Sequence, residues 1–139
     1  MISLDQARTM VSVARKTGRD LGLKPLTVCV LDAGGHLLAF EREDGASPGR
    51  FEIARGKAYG AVMLGMPGSA QMARAEGQAY FMAAVNGAFG GKVVPVPGGV
   101  LVVKDGAVLG AVGVTGDTSD NDAAAAVAGI EAAGFTALA

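Results

Sequence analysis

Two pairs of short apolar runs, each joined by a glycine-containing turn, set the tightest limit on how this chain can fold. Leu26 to Leu31 reads as a strand and Leu37 to Arg42 as its partner, connected through Asp32-Ala33-Gly34-Gly35. Val100 to Val103 and Ala107 to Val114 make a second pair around Lys104-Asp105-Gly106. Connections this short reverse the chain, so each pair is an antiparallel hairpin. Parallel neighbours need a crossover of about a dozen residues or more, which argues against a doubly wound parallel sheet. In the first strand Leu26, Val28 and Val30 alternate with Thr27, Cys29 and Leu31. Both faces are therefore largely apolar, and Cys29 is expected as a small buried hydrophobe.

Helical periodicity accounts for most of the remainder. Leu4 to Leu21 places Leu4, Ala7, Met10, Val11, Ala14 and Leu21 broadly on one face, with Ser3 and Gln6 spaced as a capping box. Gly22 and Lys24-Pro25 end it. Ser47-Pro48 has the chemistry of an N-cap and first helical position, and a helix to about Met63 would turn Phe51, Ala54, Ala58, Ala61 and Val62 inward. After Pro67-Gly68-Ser69 a second helix-like stretch reaches Phe81 or Val85. The final helix starts at Ser119 or Asp120, with Ser119-x-x-Asp122 as an aspartate version of the capping box, and ends near Gly134. The order helix, hairpin, helix pair, hairpin, helix predicts an α+β fold in which helices flank an antiparallel sheet.

At 139 residues and 13.8 kDa the chain is expected to form one domain, residues 1–139. A formal charge of −1 gives no basis for a nucleic-acid partner, and no apolar run approaches the roughly 18 residues that would suggest a membrane span. The start lacks the basic-then-apolar pattern of a secretory signal, and a single cysteine builds no disulfide framework, so a cytoplasmic protein is expected. The 22 glycines predict tight turns and close backbone approaches without naming a ligand.

The charged turns carry the candidate chemistry. Arg42 has the donor fork to hold a carboxylate or phosphate-like group, and Asp44 to orient it; alternatively Asp44 and Gly45 shape the turn and Arg42 is exposed on its strand. Lys57 lies one to two helical turns beyond, either as a ligand contact or as a solvated helix lysine. Pro97, Gly98 and Gly99 either present backbone amides to a ligand or form a hairpin approach. His36, the only histidine, is either a solvent-near turn residue, a ligand contact, or a proton-transfer or oligomer contact. No serine, histidine and acid triplet assembles around it. Asp120 and Asp122 fall in the first turn of a helix, where negative charge complements the amide end, so capping is expected and no metal site is assigned. Gly110-x-x-Gly113-x-x-Gly116 lacks the strand-to-helix setting of a dinucleotide loop.

Val30-Leu31-Asp32-Ala33-Gly34-Gly35, Arg42-Glu43-Asp44-Gly45-Ala46, Lys57-Ala58, Pro97-Gly98-Gly99-Val100, and Gly110 to Gly116 followed by Asp120-Asn121-Asp122 together resemble the GlcG/HbpS-like family, also described through the C-terminal domain of PduO-type proteins. The resemblance covers nearly the whole chain. It implies a profilin-like domain with a five-stranded antiparallel sheet flanked by helices, assembly into dimers or larger homo-oligomers, and a small-molecule ligand, haem among the candidates. Histidine ligation in the family fits the first helix, where this chain has none; His36, Tyr59, Tyr80, Cys29 or a methionine are the remaining types able to hold iron. The leading expectation is a small-ligand-binding module. The alternatives are an enzyme that moves protons on or hydrates a small oxygenated metabolite through Arg42, Asp44, His36 or Lys57, and an oligomeric accessory protein; the small residues of Ala54 to Ala61 and Ala123 to Ala133 either give its copies close helix contacts or pack against the sheet.

Overall fold

A computed structural model describes residues 1–139. The elements run α1 (Leu4–Asp20), β1 (Thr27–Asp32), β2 (Leu37–Arg42), α2 (Arg50–Leu64), α3 (Gly68–Gly77), α4 (Ala79–Ala88), β3 (Gly99–Lys104), β4 (Ala107–Thr115), α5 (Ser119–Ala132) and β5 (Thr136–Leu138). All five strands form one antiparallel sheet in the order β2-β1-β4-β3-β5. Both expected hairpins are present. The second closes through Asp105 and Gly106 at φ 50° and 77°, the left-handed pair that matches strand twist in a two-residue turn. No helix is long and apolar enough to cross a membrane.

Alternation along the strands sorts the core into two layers. Val28, Val30, Val100, Val102, Val112 and Val114 face α1 and α5, where Met10, Ala14, Ala126 and Ile130 meet them. Cys29, Leu31, Leu101 and Ala111 face α2, under Ala54, Ala58 and Ala61. Burial pushes the Cys29 thiol up to about 12, so it is packing material rather than a nucleophile. The alanines of α2 and α5 could either meet another copy or pack against the sheet, and Ala54, Ala58, Ala61, Ala125 and Ala126 do the latter, being fully buried.

Several local expectations are corrected. The Ser3–Gln6 capping box forms, with both bonds made at 3.1 and 2.9 Å, but Leu4 and Leu21 are exposed because the sheet-facing stripe of α1 is Ala7, Met10, Val11, Ala14 and Gly18. Ser47 does not cap α2: its carbonyl closes a turn onto Arg50, and Gly49 stands at the cap. The stretch after Pro67 is two helices, broken at Gln78 (φ −142°, ψ 68°) after Gly77. Thr118, not Ser119, caps α5 by accepting from the Asn121 amide, and β5 adds a short edge strand that residue patterning did not mark.

The seating of α2 depends on two glycines that face each other across the sheet, Gly99 on β3 and Gly113 on β4. A Cβ at Gly113 would run into the Ala54 carbonyl, and one at Gly99 into the Lys57 carbonyl. Their absence lets the helix backbone lie directly on the strands. That seating carries Lys57 inward, where its ammonium donates to the Val114 carbonyl at 3.0 Å and to Asp122 at 3.1 Å. Lys57 is 3% and Asp122 1% exposed. The other Asp122 oxygen accepts from the Asp117 amide at 2.9 Å. Asp122 is therefore an internal anchor between α2 and α5, which correct both its expected capping role and the solvated reading of Lys57. Burial lowers the Lys57 pKa and raises that of Asp122, each offset in part by the other's charge.

Three outcomes are expected in urea unfolding. Gly113→Ala inserts a methyl against a helix carbonyl and is expected to cost about 1–3 kcal/mol; an unchanged midpoint would show that α2 does not sit this close. Lys57→Met strands a buried carboxylate and is expected to cost about 3–5 kcal/mol. In a double-mutant cycle, Asp122→Asn should then cost less in the Lys57→Met background than alone, and strict additivity would refute the pairing. Asp117 accepts from Asn121, Lys24 and Thr118, which hold its carboxyl down at about 2. Its stabilisation is present above the ordinary 3.8 and disappears as pH falls toward about 2. Asp117→Asn should flatten stability across that interval, and an unaltered acid limb would contradict the assignment.

Candidate functional site

Outside the buried stripe, α1 presents a second flank to the edge strand β2, and the space between them is an open groove of about 770 Å³. Its apolar surface comes from Leu4, Val11 and Val13 on the helix and Leu38, Ala39 and Phe40 on the strand. Phe40 is held by an edge-on contact with Phe51 of α2, ring centroids 4.9 Å apart. Arg8, Thr9 and Ser12 add donors along the helix side. Volumes of about 300–1,000 Å³ are usual for small-molecule sites.

The groove runs into a smaller hollow of about 460 Å³ that shares Arg15, Phe40 and Glu41 with it and adds Arg42, Glu43 and Asp44. Where they meet, Arg15 binds Glu41 at 2.6 Å and Glu43 at 3.3 Å. The hydrogen bond to Glu41 is the largest influence raising the Arg15 pKa, against partial desolvation. Glu43 is 9% exposed and also accepts from the Leu26 amide at 2.6 Å, so it ties α1 to the start of β1. Arg15 is thereby committed to protein carboxylates. Arg8 and Arg42 are exposed and their guanidinium groups make no hydrogen bond or ion pair within the chain, which leaves two donor forks on the walls for an incoming anion.

The residues singled out from sequence fall in three places. Arg42 and Asp44 lie together in the hollow beside the groove. Lys57, Pro97, Gly98 and Gly99 also come together, but in packed interior: all are buried, and the Gly98 carbonyl accepts from the Val114 amide at 2.9 Å next to the ammonium of Lys57. His36 stands apart in the β1–β2 turn with its side chain 80% exposed and its Nδ1 3.3 Å from Asp32. The same Asp32 oxygen accepts from the His36 and Gly34 amides, and these contacts, the His36 amide foremost, hold its carboxyl below the usual range. The six residues of β2 span about 20 Å, so His36 and Arg42 stand at opposite ends of a strand. The proton-transfer set of Arg42, Asp44, His36 and Lys57 is therefore not assembled in one site. No group of three or more His, Cys, Asp or Glu could hold a metal ion.

Sequence reasoning missed Arg8, Arg15, Phe40 and Glu43. The signal for the first two was present: Leu4, Arg8, Ser12 and Arg15 recur at spacings of four, four and three, a second helix face beside the apolar one.

Comparison with known proteins agrees with this architecture. Protein GlcG of Escherichia coli (strain K12) is 36% identical over 94 residues, covering 65% of this chain and 63% of GlcG. An uncharacterized 15.0 kDa protein from the dhaT-dhaS intergenic region of Citrobacter freundii is 29% identical over 121 residues, covering 87% of this chain and 84% of that one. The solved structure of a PduOC:heme complex superposes with a TM-score of 0.87 over 99% of this chain and 98% of its own, at 24% identity, a likeness of fold. A family model described as haem degrading protein HbpS-like matches residues 2–131, and the chain belongs to the HbpS-like family.

Proposed function

We propose that the groove between α1 and β2 is the binding site of a small planar, anionic molecule, and that the chain acts as a ligand-binding module. The observation that carries this is an open apolar groove with two guanidinium groups, Arg8 and Arg42, left without protein partners on its walls and on those of the adjoining hollow. Leu38 and Ala39 on the strand, with Leu4, Val11 and Val13 on the helix, offer apolar surface for a flat ring system, and the arginines would hold carboxylates at its rim.

The family's description and the relative solved with heme make haem the first ligand to test. The walls suit the ring and propionates of a porphyrin, but they contain no histidine, cysteine, methionine or tyrosine. They do not fit iron ligation, and no step is assigned to iron. His36, whose side chain stands in solvent in the turn just before Leu37 begins β2, is not a wall residue.

Titration with haemin and with metal-free protoporphyrin separates ring recognition from iron recognition. Saturable binding of both, with dissociation constants within about threefold, is expected. Arg8→Ala and Arg42→Ala should each weaken binding about tenfold, the loss of one charged hydrogen bond of about 1.4 kcal/mol. Haemin binding that is much tighter and is lost in His36→Ala would replace this reading with iron held by His36. Absence of saturable binding by either ring would refute a porphyrin ligand.

A further inference from the structure

At one end of the sheet, three side chains stand in a row on the face that carries α2. Thr27 opens β1, with Arg42 of β2 on one side and Thr115 of β4 on the other, each its direct partner in register. Side chains paired in this way lie about 5 Å apart and point to the same face. Cys29 and Leu31, two and four positions along β1, belong to the layer beneath α2, so Thr27 points toward that helix as well. The helix begins over this end of the sheet. The Arg50 guanidinium donates to the Thr115 hydroxyl at 2.7 Å, and Phe51 meets Phe40, which shares its face of β2 with Arg42. Thr27 is 0% and Thr115 1% exposed, yet the Thr27 hydroxyl has no partner, and the Thr115 hydroxyl, having accepted from Arg50, donates to no group of the chain. A buried hydroxyl without a partner destabilises the fold, and an acceptor from outside the chain is what satisfies it.

We propose that the start of α2 and the Arg42-Thr27-Thr115 row form a binding site for a phosphate group, sharing only Arg42 with the hollow beside the α1–β2 groove. The first turn of α2 supplies further donors. Gly49 stands at its cap without a side-chain bond, and the Phe51 and Glu52 amides find no acceptor in the turn before them. A helix of 15 residues carries partial positive charge at this end. Neither Arg42 nor Arg50 forms an ion pair, whereas the buried carboxylates of Glu43 and Asp122 are held by Arg15, Arg19 and Lys57. The negative groups left near the mouth, Asp44 and Glu52, are exposed and solvated. Two guanidinium forks, two hydroxyls and two amides thus converge, and every one has a hydrogen to give. Such a set rejects a metal cation, and a lone carbonyl would leave most of it unused. A carboxylate brings two oxygens, while a phosphate group brings three or four, along with the charge that arginines and a helix start attract. Arg50 is the central residue, because its side chain is half-buried and tied to the protein by a single hydrogen bond, with most of its N–H groups unused beside the threonines.

Isothermal titration of the full chain with inorganic phosphate is expected to show one saturable site that weakens as sodium chloride is raised. Acetate should bind at least fivefold more weakly, and acetate binding as tight as that of phosphate would overturn the assignment to a phosphate group. Methyl phosphate separates the two sources of that group. Affinity equal to that of inorganic phosphate supports a phosphate monoester as the ligand, and a preference for the inorganic ion supports the free anion. Arg50→Met should weaken phosphate binding at least tenfold. Thr27→Val keeps the shape of the side chain and removes the unpaired hydroxyl, so it should weaken phosphate binding at least threefold while preserving or raising the urea midpoint measured without phosphate. Neither residue lines the α1–β2 groove, so both variants should keep the porphyrin titration, and a failure of porphyrin binding in the wild-type chain counts against the groove alone. No saturable phosphate binding up to about 10 mM, roughly ten times a millimolar dissociation constant, would overturn the proposal. So would an affinity unchanged in both variants. A loss confined to Arg50→Met would also overturn it, since the anion would then sit on the guanidinium alone and the Thr27 hydroxyl would belong to an internal water.

Discussion

The architecture rests on one close contact, the backbone of α2 lying on the glycine pair Gly99 and Gly113. With side chains at those positions the helix would ride higher, the alanine layer over Cys29, Leu31 and Leu101 would open, and Lys57 would no longer reach the Val114 carbonyl. Helix–sheet contact at this distance forfeits the large apolar side chains that usually fill such a layer. Its compensation is a dense interface of alanine against strand, in which a small change in volume is felt at once. Replacing both partners of a buried ion pair by well-packed apolar groups is often neutral or stabilising. What Lys57 and Asp122 supply is a fixed relation between the helix on one side of the sheet and the start of α5 on the other.

Charge is distributed in two regimes. Interior charges are all held by protein partners: Lys57 by Asp122, and Glu43 by Arg15, Arg19 and the Leu26 amide. On the groove walls the matching is incomplete, and Arg8 and Arg42 face solvent without carboxylate neighbours in bonding distance. An exposed arginine is cheap to leave unpaired because water solvates it, so this incompleteness costs the fold little while keeping donors available. The groove therefore needs no movement of the core to accept a ligand.

Both hairpins, the antiparallel sheet and the α1 capping box were legible because each is written in adjacent residues: Asp105-Gly106 for a left-handed turn, Ser3 and Gln6 for the cap. The α3–α4 break was less legible, since Gly77-Gln78 is weaker punctuation than proline, and β5 pairs only through residues distant in sequence. Among candidate site residues, Arg42 and Asp44 lie beside each other in one hollow because the charged turn that carries them is contiguous in sequence. The role of Asp122 could not. Its spacing from Ser119 imitates a capping box, while its actual partner is 65 positions earlier and is brought there only by the seating of α2. The groove itself was hidden for the same reason: its two walls, α1 and β2, are separated in sequence by β1 and meet only once β2 has paired beside β1 as the edge strand.

The two edges of the sheet are unequal, and this governs what the chain does when crowded. One edge, β5, is three residues long and offers almost no template for another strand. The other, β2, is twice that length, but its pairing with β1 shifts register beyond Val30, and it ends in Glu41 and Arg42. Arg15 also reaches from α1 onto Glu41 and partly roofs that end. An irregular edge with charge at one end is a poor seed for strand-by-strand growth. The fold thus keeps its β structure from propagating between molecules, so concentrated solutions should remain free of fibrils even though half of the residues are hydrophobic.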